Sequence, residues 1–266
     1  EMQRSLVGSE MCIRDRNDES FDTDRAALIE GLPSCGAELI MDVACAAEDF
    51  EKTLEITAKY PFIYGAYGIH PHYASDPGEN WEARLRRALC DKKAVCLGEI
   101  GLDYHYEDTN KPFQHEMFAA QLEIACGAGM PVQIHSRDCA EDMYAFLSER
   151  RALLRHGALL HCYSHSAELA REFEKLGLHF SFGGSCTWKG SKRVKKAIAA
   201  LSDGSILTET DSPYIAPESI KGAFPNTPAS IPEIAAKIAE IRGAEEGRVK
   251  QLAWDNAHAL FKKLCN

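Results

Sequence analysis

Short unbroken apolar runs alternate along the chain with longer stretches whose apolar residues recur every three or four positions. The runs are of strand length and the longer stretches have helical period. The pattern predicts strands at Glu38–Val43, Phe62–Ile69, Ala94–Glu99, Val132–His135, Ala158–Cys162, Phe180–Phe182 and Ile206–Thr210. Between and after them it predicts helices at Glu48–Lys59, Trp81–Leu89, Lys111–Cys126, Ala140–Arg150, Ala167–Leu176, Ser191–Leu201, Ile231–Ile241 and Glu245–Lys263. Ser166 reads as an N-cap, and Gly127, Gly129 and Gly177 as stops. A further helical pattern after Asp22 runs through Ala27, Leu28 and Leu32 and stops at Pro33 and Gly36.

Alternating strand and helix units of this size imply a parallel sheet in an α/β fold. Seven units suit an open doubly wound sheet or a TIM (β/α)8 barrel with one strand unaccounted for. The polar residues favour the barrel. Glu99, His135, His161 and Asp211 each sit at the C-terminal end of a different strand, and one barrel mouth gathers such ends. The eighth strand would then come from before Asp22. Residues 1–16 show neither helical stripe nor strand alternation, so the expected organisation is an anomalous segment 1–16 and a single barrel domain 17–266.

Glu99 closes the run Ala94-Val95-Cys96-Leu97-Gly98-Glu99, and a buried carboxylate is costly unless paired or bound to a metal. Strict alternation would put Val95, Leu97 and Glu99 on one face. It would likewise align Gln133 with His135 and Arg137, Leu159 with His161 and Tyr163, and Leu207 with Glu209 and Asp211. Each of these polar residues could instead be satisfied singly by hydrogen bonds. Four at corresponding places favour a divalent-metal site, and the mixture of imidazole and carboxylate suits Zn, Mn or Fe better than Mg.

Composition narrows the setting. Apolar residues make up 45% and charged residues 26% of the 266 positions, as in a globular protein. No stretch is apolar and long enough to span a membrane, and the beginning of the chain lacks the apolar core of a secretion signal. Ten cysteines occur without a CxxC pair, so reduced, buried thiols and a cytoplasmic location are expected. A net charge of −10 argues against a broadly basic nucleic-acid coat but not against local phosphate binding. Lys189, Lys192, Arg193, Lys195 and Lys196 form one such local cluster, on a helix whose core stripe is Val194, Ile198 and Leu201. No protein partner is inferable.

Five blocks resemble the signatures of the TatD family of metal-dependent DNases, within the amidohydrolase superfamily. They are Gly68-Ile69-His70-Pro71-His72, Gly98-Glu99-Ile100-Gly101-Leu102-Asp103-Tyr104, Gln133-Ile134-His135-Ser136-Arg137, His161-Cys162-Tyr163-Ser164 and Glu209-Thr210-Asp211-Ser212-Pro213-Tyr214. Trp254-Asp255-Asn256-Ala257 resembles the family's final helix. The resemblance implies a deoxyribonuclease using two divalent ions. Glu99 would bridge them, His135 and His161 would bind the second, and Asp211 would bind the first and take a proton from the attacking water. It implies no covalent nucleophile, and no Ser or Cys has a base beside it in sequence. His70, His72, Arg137 and Lys189 are candidates for phosphate contact. His165 stands where the family more often has Gly and reads as an exposed bystander.

The chain departs from the family at its start. The family opens with Asp-x-His-x-His on the first strand, and here no histidine precedes His70. Residues 5–15 resemble translated sequencing-adapter DNA, so the expectation is that the native first strand has been replaced; a divergent N-terminus is the other possibility. As written, the chain would bind one metal better than two and cut DNA poorly. Two other readings stand beside the nuclease: an amidohydrolase acting on a small amide, ester or lactone, and a catalytically impaired, truncated barrel.

Overall fold

A computed structural model of the protein describes residues 25–35 and 39–265. Its first elements are α1 (Arg25–Gly31), β1 (Ile40–Ala44), α2 (Phe50–Lys59), β2 (Ile63–Tyr67), α3 (Trp81–Leu89) and β3 (Ala94–Asp103). There follow α4 (Lys111–Ala128), β4 (Val132–Arg137), α5 (Ala140–Glu149), β5 (Ala158–Leu160), α6 (Ala167–Lys175) and β6 (Leu178–Phe182). The last are α7 (Lys192–Ala200), β7 (Ile206–Thr208), α8 (Ile231–Arg242) and α9 (Glu246–Leu260). The seven strands among the described residues are all parallel and pair in chain order, β1 through β7. The expected eighth strand and the anomalous segment fall outside the described residues.

Local chemistry sets the helix ends. The Asn110 side chain accepts the Phe113 N–H and Pro112 occupies the first turn of α4, while Gly129 closes that helix at φ 70°. Ser166 caps α6 by accepting the Leu169 N–H at 3.2 Å, as its sequence position predicts. Val194 and Ile198 of α7 are buried, with Leu201 just beyond it, and Lys192, Arg193 and Lys196 are exposed.

Two apolar layers enclose the sheet. The outer one packs the helices on it through residues such as Phe118, Phe146, Phe173 and Phe180. The inner one contains Met41, Val43, Ala66, Val95, Leu159 and Leu207, packed against Ala257, Leu260 and Phe261 from the end of the chain. Asn256 ties α9 to the approach to β7 by donating to the Asp203 and Ile206 carbonyls at 2.7 and 2.8 Å. The strands' C-terminal ends face a cleft of about 600 Å³.

Strict alternation fails where the site begins. Val95 lies in the inner layer but Leu97 in the outer one, and the β3–β4 register shifts between Leu97 and Ile100. Glu99 therefore owes its direction to an irregularity and not to simple parity with Leu97. Glycine permits the close approach of the two strands there. A Cβ on Gly101, at φ +144°, would lie 2.1 Å from the His135 carbonyl oxygen. β3 is also longer than expected, reaching Asp103, whereas β5 and β7 stop early. His161 and Asp211 thus sit on turns past their strands, where Cys162 and Asp211 take φ 46° and 50°. For this reason Tyr163 does not share the inner face with Leu159 and packs in the outer layer.

Candidate metal centre

Glu99, only 1% exposed, lies beneath the histidines that line the cleft. Its Oε1 is 2.6 Å from His135 Nδ1, 2.7 Å from His161 Nε2 and 3.6 Å from His70 Nε2. Its other oxygen, Oε2, accepts a long hydrogen bond from the Cys45 thiol at 3.8 Å. Four other elements thus converge on this carboxylate of β3: the ends of β1, β2 and β4, and the turn after β5. Burial alone would raise the Glu99 pKa, but the imidazoles of His161, His70 and His135 outweigh it and hold it well below the usual carboxylate range.

Each imidazole is oriented by a partner on its far side. His135 Nε2 donates to Asp103 Oδ2 at 2.9 Å, and His161 Nδ1 lies 3.3 Å from Glu209 Oε2. Burial pushes His135 down, yet its hydrogen bonds to Asp103 and Glu99 prevail and raise its pKa. Asp103 also accepts from His72 Nε2 at 3.1 Å and from the His105 N–H at 2.9 Å. Glu209 accepts from the Ser181 hydroxyl at 2.9 Å. His70 differs from the other two: its Nδ1 accepts the His72 N–H at 3.2 Å. A neutral His70 ring therefore carries its proton on Nε2, facing Glu99.

The donor set fits a cation. Both nitrogens of His135 face carboxylate oxygens, so in the absence of an ion the ring must be charged to satisfy both. With a divalent ion between His135 Nδ1, His161 Nε2 and Glu99, each ring can be neutral and donate its one proton to Asp103 or Glu209. Such carboxylate–histidine pairs are the usual outer support of a metal site. The ligand atoms of His70, Glu99 and His135 also lie within 4.8 Å of one another, close enough to share an ion. The neutral form of His70 makes it the weakest of these donors.

The cleft brings together most of the residues expected from sequence. His70, His72, His135, Arg137, His161 and Asp211 all line it, above the buried Glu99. Lys189 is exposed and does not line the cleft; its backbone N–H donates to Glu218 Oε2 at 3.1 Å. His165 corrects the expectation of an exposed bystander. It is 7% exposed, and its Nε2 lies 2.8 Å from the Ser136 hydroxyl, since the turn after β5 folds over the end of β4. The tertiary fold thus supplies Ser136 with an imidazole that the sequence places 29 residues away.

Asp103 and Glu209 escaped the sequence reading as functional residues. Both lay inside the motif blocks, and Glu209 already shared a predicted face with Asp211. The available signal was an acidic residue four positions after Glu99, or two before Asp211, in an otherwise buried run. No histidine precedes His70 in the sequence, so the family's first-strand His-x-His pair has no counterpart among the described residues.

The comparisons agree with this geometry. The family model described as "TatD related DNase" matches residues 15–262. The uncharacterized metal-dependent hydrolase YabD of Bacillus subtilis is 34% identical over 246 residues, covering 92% of this chain and 96% of that protein. The 3'-5' ssDNA/RNA exonuclease TatD of Cronobacter sakazakii is 28% identical, covering 91% of this chain and 94% of that one. The crystal structure of the TatD homologue YjjV from Escherichia coli superposes with a TM-score of 0.88 at 27% identity, covering 96% of this chain and 97% of that one. With seven parallel strands curled about a histidine–carboxylate floor, and with similarity running nearly end to end, the chain belongs to the TatD family of metal-dependent hydrolases.

Proposed function

We propose that the chain hydrolyses nucleic-acid phosphodiesters with a divalent ion held by Glu99, His135 and His161, and by Asp211 on the cleft wall. The carrying observation is the approach of His135 Nδ1 and His161 Nε2 to one buried oxygen of Glu99, each ring backed by its own carboxylate. The exonuclease name of the Cronobacter sakazakii relative supports a nucleic-acid substrate. When bound, such an ion polarises a phosphoryl oxygen and makes a water molecule acidic enough to react near neutral pH.

The protein's own groups have separate tasks in this reading. Asp211 accepts the proton of the attacking water. Arg137, exposed at the end of β4, pairs with a non-bridging phosphate oxygen, and His72, held by Asp103, lines the cleft beside it as a further substrate contact. His70 directs its Nε2 proton at Glu99 and keeps that carboxylate aimed. Every described imidazole at the centre gathers on Oε1, and Oε2 faces Cys45. This arrangement supports a single tightly bound ion. Residues 17–266 act as one domain in this scheme.

The test is metal analysis of the purified chain together with hydrolysis of a single-stranded oligonucleotide and of simple lactone and ester substrates. One ion per chain and metal-dependent oligonucleotide cleavage, both lost in Glu99→Gln, are expected. Cleavage that survives Glu99→Gln or chelation would overturn the reading. Lactone or ester turnover without phosphodiester turnover would reassign the substrate.

A further inference from the structure

The floor of the cleft is polar, but its mouth is aromatic. The β3–α4 loop presents Tyr106, 51% exposed, with the Arg137 guanidinium 5.9 Å from its ring centroid. The loops after β6 and β7 present a second group. Trp188 lines the cleft, and its Nε1 donates to the Ala216 carbonyl at 2.9 Å, which fixes the plane of the indole. Lys221 Nζ stands 4.6 Å from that ring's centroid. Tyr214, 44% exposed, and Phe224, 60% exposed, lie with centroids 6.0 Å apart.

Large apolar rings left in water together need a reason, since such patches mark binding surfaces. Core packing does not supply one, because Phe224 and Tyr214 are among the most exposed large apolar side chains described. The alternation of rings with cations narrows the choice of partner. A chain-like polyanion offers phosphates to Arg137 and Lys221, while flat bases offer their faces to the rings. The rest of the protein carries a net negative charge, so cations placed beside rings at this mouth are a local arrangement.

Building on the phosphodiesterase reading, we propose that Trp188, Tyr214 and Phe224 form a stacking wall for unpaired bases next to the scissile phosphate. The ligand is a single nucleic-acid strand, gripped with little regard to sequence because every base has a π-face. Duplex bases are covered by their own neighbours and cannot use the wall without being pulled out of the stack. The three side chains are specificity-determining residues and take no part in the bond-breaking step.

The test separates stacking from chemistry by measuring binding in chelator. A labelled single-stranded oligothymidylate is compared with an abasic deoxyribose-phosphate oligomer of the same length and with a blunt duplex, by fluorescence anisotropy. The thymidylate should bind roughly tenfold more tightly than the abasic oligomer. Phe224→Ala and Trp188→Ala should each shrink that ratio towards one, with abasic binding unchanged. Phe224 is exposed, so its variant should keep the wild-type circular dichroism. Equal binding of thymidylate and abasic oligomers, no binding of either, or an unchanged ratio in both variants would overturn the stacking wall. Cleavage with metal restored is read separately. If the thymidylate binds as expected but no oligomer is cut, the stacking wall stands and the phosphodiesterase reading fails.

Discussion

Asp103 Oδ2 accepts from His135 Nε2 at 2.9 Å, while the opposite nitrogen of the same ring is 2.6 Å from Glu99. One histidine thus links a carboxylate that would hold an ion to one that aims the ring. The same relation recurs at His161, between Glu99 and Glu209. Removing the outer carboxylate should weaken metal binding while leaving the ligands in place.

Asp103→Asn is accordingly expected to lower affinity for Mn²⁺ or Zn²⁺ by about 10–100-fold. Glu209→Gln should act in the same direction. Isothermal titration of the folded variants checks both, and wild-type affinity in each would show that the pairs do not support the site.

Bound metal should also stabilise the fold, because the converging ligands come from strands distant in sequence and are dispersed when the chain unfolds. An ion at a hundred times its Kd contributes about 2.7 kcal/mol, which raises Tm by roughly 5–10 °C in a chain of this size. Differential scanning fluorimetry should show that rise, its reversal by EDTA and its absence in Glu99→Gln.

Gly101 tests the β3–β4 irregularity. A methyl group there would lie 2.1 Å from the His135 carbonyl oxygen, at a φ of +144°. Gly101→Ala should destabilise the protein by about 3 kcal/mol or more and displace His135. Gly127, in the last turn of α4, where an added Cβ would meet nothing within 4 Å outside the helix's own backbone, is the control: Gly127→Ala should stabilise by about 0.5–1 kcal/mol. Urea unfolding compares the two.

Asp203 links the approach to β7 with α8 and α9. It accepts from Arg248 at 2.7 Å and also from Arg242. Those hydrogen bonds, Arg248 first, hold its pKa below the ordinary value. A depressed carboxylate stabilises the fold above its unfolded pKa of about 3.9, and that contribution is lost as pH falls through the lower folded value. Asp203→Asn should therefore reduce stability at pH 7 by more than it does at pH ~3. The pair is partly solvated, so the effect should be modest. Chemical denaturation at the two pH values is the check.

The order of apolar runs and helical stripes was enough to determine seven parallel strands, the helices between them and the placing of Glu99, His135 and His161 near strand ends. Burial and hydrogen bonding within a strand are local, and a period of two or 3.6 residues records them directly. What the tertiary structure decided lies across strands and on the turns beyond them. The shifted β3–β4 register turned Glu99 inward although Leu97 faces outward. The turn after β5 carried His165 onto Ser136, and Asp103 and Glu209 became the supports of His135 and His161. Lys189, prominent in the sequence as part of a basic cluster, was left outside the cleft. None of these pairings follows from periodicity. Each depends on the register of separate strands and on left-handed turn residues such as Cys162 and Asp211, and those are settled only when the strands pack together.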